Sequence, residues 1–106
     1  MVLGGDSLLA AVPKEKRIRN RALLKAMREK IPYCERCGKP GHGGMHHIRY
    51  RSQGGSDIRP NLIRLCVYCH RGIHDARYDR TELIAIVAGR EGMTPEEVAE
   101  AIGTVL

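Results

Sequence analysis

The sequence contains no phenylalanine and no tryptophan, and four tyrosines are the only large aromatic residues among its 106 residues. A chain this short also removes a limited share of its surface from water when it folds, so a core built without those side chains is thin. Small domains with thin cores are often stabilised by a bound metal or by disulfides. We therefore expect a single small domain that depends on such a cross-link.

Long apolar runs are missing as well. No stretch approaches the roughly 18 consecutive apolar residues of a membrane-spanning helix. Residues 1–12 lack the basic start and the apolar run of a secretory signal. The sequence therefore predicts a cytoplasmic protein with no membrane partner, in which cysteines stay reduced.

Acidic residues are scarce over most of the chain. Residues 1–80 contain 17 Lys and Arg against 7 Asp and Glu, whereas residues 81–106 contain one Arg against five Glu. The net charge is +6, and Arg outnumbers Lys by 13 to 5. The planar guanidinium group suits phosphate oxygens. This composition indicates a polyanionic partner, although a high charge also serves solubility.

The four cysteines form two Cys-x-x-Cys pairs, Cys34 with Cys37 and Cys66 with Cys69. Two such pairs deliver four thiolates to one tetrahedral zinc ion. Disulfides are the alternative, and four cysteines allow three pairings. The spacing and the expected reducing compartment favour a structural zinc.

Periodicity and turn residues predict an α+β domain. Residues 1–13 are expected to form a flexible leader, and residues 14–30 an amphipathic basic helix that Pro32 ends. Residues 45–51 and 62–67 predict two strands that pair as a hairpin, and a helix is expected from Tyr68. Two further helices, over 81–89 and 94–102, form a C-terminal helical appendix at residues 79–106, the second opened by a capping box.

For two of these helical regions, the sequence leaves two possible functions. The basic helix presents Arg17, Arg21 and Lys25, which either contact a nucleic-acid backbone or form a solvated face. The C-terminal helices either cover the core or bind a protein partner. We expect a monomer or a weak dimer.

All five histidines lie between residues 42 and 74. His42 stands in a glycine-rich loop, where a solvated side chain is favoured over a ligand role. His70 and His74, separated by four residues, share one helix face and can chelate a second metal ion.

Residues 33–75 as a whole resemble the HNH endonuclease family. The resemblance is carried by His46-His47-Ile48, Gly54-Gly55, Asp57, Asn61-Leu62, Cys66-x-x-Cys69-His70 and His74. It implies a ββα-metal fold, in which two strands and a helix surround one catalytic divalent ion and a four-cysteine zinc joins the ends of the motif. This core spans residues 14–78 together with the basic helix.

Residue roles follow from the same resemblance. It implies that His47 is the general base, that Asn61 fixes the strand holding it, and that His46 and His70 bind the catalytic ion. His74 matches a further ligand that only part of the family has.

The activity implied is metal-dependent nicking or cleavage of DNA to 5′-phosphate and 3′-hydroxyl ends, as in small members from phages and mobile elements. The catalytic ion would be Mn²⁺, Mg²⁺, Ni²⁺ or Zn²⁺. Arg49 and Arg51 are candidate phosphate contacts, or else solvated side chains. The alternative function is a non-catalytic zinc-binding module for DNA or a protein partner.

The adjacent histidines raise a geometric difficulty. Neighbouring residues on a regular strand point to opposite faces, so His46 and His47 cannot both face one metal ion unless the strand is bulged or strongly twisted.

Overall fold

The computed structural model describes residues 17–40 and 43–106. Its elements are the helices α1 (Arg21–Lys30), α2 (Val67–His74), α3 (Arg80–Glu91) and α4 (Pro95–Ile102), and the strands β1 (Met45–His47) and β2 (Leu62–Arg64). Two short 3-10 helices, Arg51–Gln53 and Arg59–Asn61, lie between the strands. The predicted α+β class is confirmed. The predicted leader at 1–13, the start of the basic helix at 14–16, and His42 lie outside the described residues.

The two strands pair antiparallel, with His46 opposite Ile63 and His47 opposite Leu62. Each strand is three residues long, which is shorter than the predicted 45–51 and 62–67. After His47 the chain turns, because the backbone N–H groups of Gln53 and Gly55 both donate to the Tyr50 carbonyl at 2.9 Å. The hairpin is therefore just long enough to place the two histidines.

Helix α1 begins at Arg21, whereas the sequence predicted a helix from residue 14. The Asn20 side chain caps it by accepting a hydrogen bond from the Leu23 N–H at 3.0 Å. Just before the cap, Ile18 is bound to the loop at 55–57: its N–H donates to Ser56 Oγ (3.1 Å) and its carbonyl accepts from the Asp57 N–H (2.8 Å). These tertiary bonds use the backbone groups that a longer helix would need.

Helices α3 and α4 share one apolar core with the buried cysteines and with residues of the hairpin. This core includes Ile48, Ile63 and Leu65, the buried cysteines, and from the C-terminal helices Leu83, Ile84, Val87, Ala88, Val98 and Ile102. A smaller cluster of Met27, Ile31 and Leu62 attaches α1. The apolar side of the C-terminal helices is thus packed against the rest of the domain.

An ionic network also joins α3 to the first cysteine pair. The Arg90 guanidinium donates to both oxygens of Glu35, at 2.8 and 2.9 Å, and to the Leu62 carbonyl at 3.0 Å. Glu91, next in α3, accepts from Arg59 at 3.0 Å. The side chains of Arg90 and Glu35 have little exposure, so this pair is less screened than a surface ion pair.

Capping residues are found at the ends of α3 and α4. Thr94 and Glu97 form the predicted capping box, and Gly92 and Gly103 adopt left-handed conformations after the two helices. Among the described residues, no helix is long and apolar enough to cross a membrane.

Candidate active site

The four cysteines come together in a single cluster. Their Sγ atoms all lie within 4.8 Å of one another, and none forms a disulfide. Cys37 Sγ and Cys66 Sγ are 3.7 Å apart. Two sulfurs that bind one zinc ion at about 2.3 Å with tetrahedral angles lie about 3.8 Å apart. The cluster therefore has the geometry of a four-thiolate zinc site.

Two of the four thiols, Cys34 and Cys69, have pKa values displaced from the ordinary range. Burial opposes ionisation of Cys34, but backbone N–H groups around its sulfur outweigh it and lower its pKa to about 7. Burial raises the pKa of Cys69 to about 12, and the three neighbouring thiols add to that rise against the Arg36 guanidinium. Four thiols packed this closely ionise together only when a positive ion compensates their charge.

Three histidines form a second cluster, separate from the cysteines. His46 comes from β1, and His70 and His74 come from consecutive turns of α2; one ring nitrogen of each lies within 4.8 Å of the others. The Nε2 atoms of His70 and His74 are 3.1 Å apart. Two nitrogens bound to one ion at about 2.0–2.1 Å lie about 3.3 Å apart at the tetrahedral angle. These residues therefore fit a three-imidazole metal site.

Burial favours the neutral form of two imidazoles of this cluster, those of His46 and His70. His46 is 6% exposed, and its burial, together with repulsion from His70, His74 and His47, lowers its pKa to about 4. Burial and repulsion from His74 also lower the pKa of His70. A neutral imidazole has the free lone pair that a metal ion needs.

His47 lies outside the three-histidine cluster but lines the same hollow. The hollow has a volume of about 220 Å³, and its lining includes His46, His70 and His74 as well as His47. The His47 Nε2 atom lies 2.7 Å from Asp57 Oδ1. The alternation along β1 thus separates the two histidines: His46 joins the cluster, and His47 borders the hollow as a distinct group.

Asn61 holds the chain immediately after β1. Its side chain is 1% exposed; Oδ1 accepts from the Arg49 N–H (2.7 Å), and Nδ2 donates to the Arg49 carbonyl (3.1 Å) and the Ser56 carbonyl (3.0 Å). Asn61 does not line the hollow. Its contacts are those of a residue that fixes the position of β1 and the loop after it.

The two arginines predicted as phosphate contacts occupy different environments. Arg49 is 6% exposed, and its guanidinium donates to the carbonyls of Gln53 (3.0 Å), Ile102 (3.3 Å) and Gly103 (2.7 Å). It therefore ties the loop to the end of α4 and is not presented to a substrate, which corrects the prediction. Arg51 has a side chain 51% exposed and lines the hollow.

The predicted basic residues of the N-terminal region do not line the hollow. Arg21 and Lys25 are exposed on one face of α1, one turn apart. Arg17, which precedes the helix, is half-buried and donates to the Arg51 carbonyl at 3.2 Å. None of the three lines the hollow.

Two residues of the site had no predicted role. Tyr50 stacks on the His74 ring, with centroids 5.7 Å apart, and meets the His46 ring edge-on. Asp57 binds His47 and is 1% exposed. Burial opposes its ionisation, but hydrogen bonds from His47 and from the Asn20 N–H, and the charge of Arg51, hold the pKa of Asp57 below its ordinary value. An acidic residue in a glycine-containing loop gives no sequence signal of that contact.

Residues 34–76 match the family model described as HNH endonuclease. No curated protein and no solved structure matches the chain. The matched segment runs from the first cysteine pair to just past His74, and so contains both clusters and His47. Over residues 34–76 the chain is therefore similar to the HNH endonuclease domain, whose family consists of metal-dependent nucleases.

Proposed function

We propose that this protein is a metal-dependent DNA endonuclease that hydrolyses phosphodiester bonds in the hollow between β1 and α2. The observation that carries the proposal is the convergence of His46, His70 and His74 on a hollow that His47 also lines. A domain that only needed folding would have no use for four histidines at one opening beside a separate four-cysteine cluster.

The four histidines have two different roles in the hydrolysis we propose: metal binding and general base catalysis. A divalent ion held by His46, His70 and His74 would neutralise charge on the scissile phosphate and on the departing oxygen. His47 accepts a proton from the attacking water, a contribution of typically about 10²–10⁴-fold in general base catalysis. A P–O bond forms to the water oxygen, the P–O3′ bond breaks, and the departing 3′ oxygen takes a proton from solvent, so the products carry 5′-phosphate and 3′-hydroxyl ends.

The ligand chemistry favours borderline ions for the histidine cluster. Among the described residues, no carboxylate belongs to the cluster, and imidazole suits Zn²⁺, Ni²⁺ and Mn²⁺ better than Mg²⁺, which prefers oxygen ligands. We assign the four-cysteine cluster to structural Zn²⁺ on its sulfur–sulfur distance.

The charge distribution supports DNA as the substrate. Arg51 stands half-exposed at the hollow, and α1 presents Arg21 and Lys25 to solvent. Guanidinium and ammonium groups on such surfaces bind the phosphate backbone without reading sequence. We therefore propose binding mainly through the backbone, with weak sequence preference.

A supercoiled-plasmid assay tests the proposal. Purified protein holding one zinc per chain is incubated with plasmid and with Mn²⁺, Ni²⁺, Zn²⁺ or Mg²⁺, beside His47→Ala and a control variant, His42→Ala. We expect nicking by the parent protein and by His42→Ala, and a decrease of about 10²-fold or more in His47→Ala.

The ends of the nicked strand provide a second readout. Ligase should reseal them directly, since it requires 5′-phosphate and 3′-hydroxyl groups. Absence of nicking with all four ions, with duplex binding intact, would contradict the proposal and would favour a non-catalytic DNA-binding module.

A further inference from the structure

The side chain of Asp57 is enclosed and fully engaged. It has no solvent exposure, Oδ1 lies 2.7 Å from His47 Nε2, and Oδ2 accepts from the Asn20 N–H at 2.8 Å with an Arg51 nitrogen at 3.4 Å. An ionised carboxylate has no proton to donate, so the hydrogen in its bond with His47 belongs to Nε2. In the neutral ring, the other nitrogen, Nδ1, then carries the lone pair.

We propose that Asp57 is a positioning residue that fixes the tautomer and the orientation of His47, so that the lone pair of Nδ1 is the one presented to substrate. This inference rests on the proposed nuclease function, because it matters only if His47 accepts a proton. The physical reason is that a histidine can act as a base only through its unprotonated nitrogen, and the partner of one nitrogen decides the state of the other.

The backbone at and around Asp57 is held from two sides. The Asp57 N–H donates to the Ile18 carbonyl (2.8 Å), and the Ile18 N–H donates to Ser56 Oγ (3.1 Å). On the other side, Gly55 packs so close to the loop that an added Cβ would lie 1.8 Å from the Arg49 carbonyl oxygen. The segment before α1 and the loop after β1 therefore lock together, with Asp57 between them.

Replacement of Asp57 by asparagine gives a sharp test because the amide has one acceptor and one donor. The backbone N–H of Asn20 can only donate, so it demands the amide oxygen. The amide NH₂ would then face His47, whose Nε2 must become the acceptor, and the ring proton would move to Nδ1. His47 would then carry a proton on Nδ1, the atom whose lone pair must accept the proton of the attacking water. In serine protease triads the corresponding substitution lowers kcat by about 10⁴-fold for this reason.

The experiment compares the parent protein with Asp57→Asn and with Asp79→Asn. Asp79 caps α3 by accepting from the Thr81 N–H, a bond that asparagine can also accept, so this control loses the same charge without losing its cap. We expect Asp57→Asn to nick plasmid about 10²–10⁴-fold more slowly at saturating metal and DNA, with duplex affinity and zinc content unchanged. Asp79→Asn should match the parent.

The tautomer is read by long-range ¹H–¹⁵N NMR of the imidazoles, with the His47 signals identified by their loss in His47→Ala. The parent should show a protonated Nε2 on His47, and Asp57→Asn a protonated Nδ1. A parent spectrum with the proton on Nδ1, unchanged nicking by Asp57→Asn, or slower nicking with an unchanged tautomer would each overturn the inference. If the parent fails to nick DNA at all, the proposed function fails, and the spectra alone still decide whether Asp57 sets the tautomer.

Discussion

The protonation of His46, in the three-histidine cluster, makes the stability of the protein depend on pH. The pKa of buried His46 is about 4, below the ordinary 6.5. Between these values the unfolded chain binds a proton that the native protein does not. The native state therefore loses stability as the pH falls below 6.5, by roughly 2 kcal/mol at pH 5.

Denaturant unfolding at pH 7.5 and at pH 5 checks this prediction, with protein that holds one zinc per chain. His46→Gln has no titrating ring at this position and serves as the control, because the thiolate–zinc cluster responds to acid equally in both proteins. The parent should lose more unfolding free energy than His46→Gln between the two pH values. Equal losses would contradict the pKa shift of His46.

Some single residues were predictable and others were not, for a physical reason. The spacings within Cys34-x-x-Cys37 and between His70 and His74 act over one turn, so local geometry alone brings their ligand atoms together. The His47–Asp57 contact depends on the path of the nine residues between them, which local rules do not determine. Arg49 was misjudged because its charge is visible in the sequence, while its partners, the carbonyls of Ile102 and Gly103, are more than 50 residues away.

The same contrast holds for secondary-structure elements. The capping box that opens α4 depends on Thr94 and Glu97 alone, and the structure contains it. The start of α1 was predicted too early because the apolar periodicity continues through Ile18, whose backbone instead binds Ser56 and Asp57. Tertiary hydrogen bonds outweighed helix periodicity there, and no pattern within residues 14–30 signals them.

Helix α1 is the element whose contribution to DNA affinity can be isolated. Arg21→Gln with Lys25→Gln removes two exposed positive charges without touching the hollow. If both side chains contact phosphates, the plot of log affinity against log salt concentration should become less steep. The magnitude of its negative slope should fall by about 1.8, since each contact contributes about 0.9. Nicking at saturating DNA should be unchanged, because the chemistry is elsewhere.

Fluorescence anisotropy with a labelled duplex over a salt series measures this slope. Glu96→Gln with Glu100→Gln, which alters two exposed side chains of α4, is the control and should keep the parent slope. If the variant with both α1 substitutions has the same slope as the parent protein, these side chains of α1 are solvated and do not contact DNA.

At the scale of the whole molecule, the HNH segment and the C-terminal helices share one apolar core, and we expect them to unfold together. Leu83 of α3 is 1% exposed and packs in the core that contains Ile63 and the buried cysteines. Leu83→Ala should lower the free energy of unfolding by about 2–5 kcal/mol, through lost burial and the cavity left behind. Leu106→Ala, the same change at a side chain 51% exposed, should stay within about 0.5 kcal/mol of the parent.

Thermal and denaturant unfolding measure both variants, and a single transition that also releases zinc would show that the core and the thiolate cluster are lost together. An unchanged unfolding free energy in Leu83→Ala would instead mean that α3 is separable from the nuclease domain. The sequence left this question open because the apolar run of α3 suits a core and a docking surface equally well.

The bonds from Arg49 to the carbonyls of Ile102 and Gly103 have a consequence for the order of events on the ribosome. While the chain is being synthesised, the histidines and both cysteine pairs emerge before these two carbonyls exist. Until then the Arg49 guanidinium, two residues after His47, has the Gln53 carbonyl but not the two carbonyls at the end of α4. We therefore expect the loop after β1 to gain these two bonds only after translation has passed residue 103.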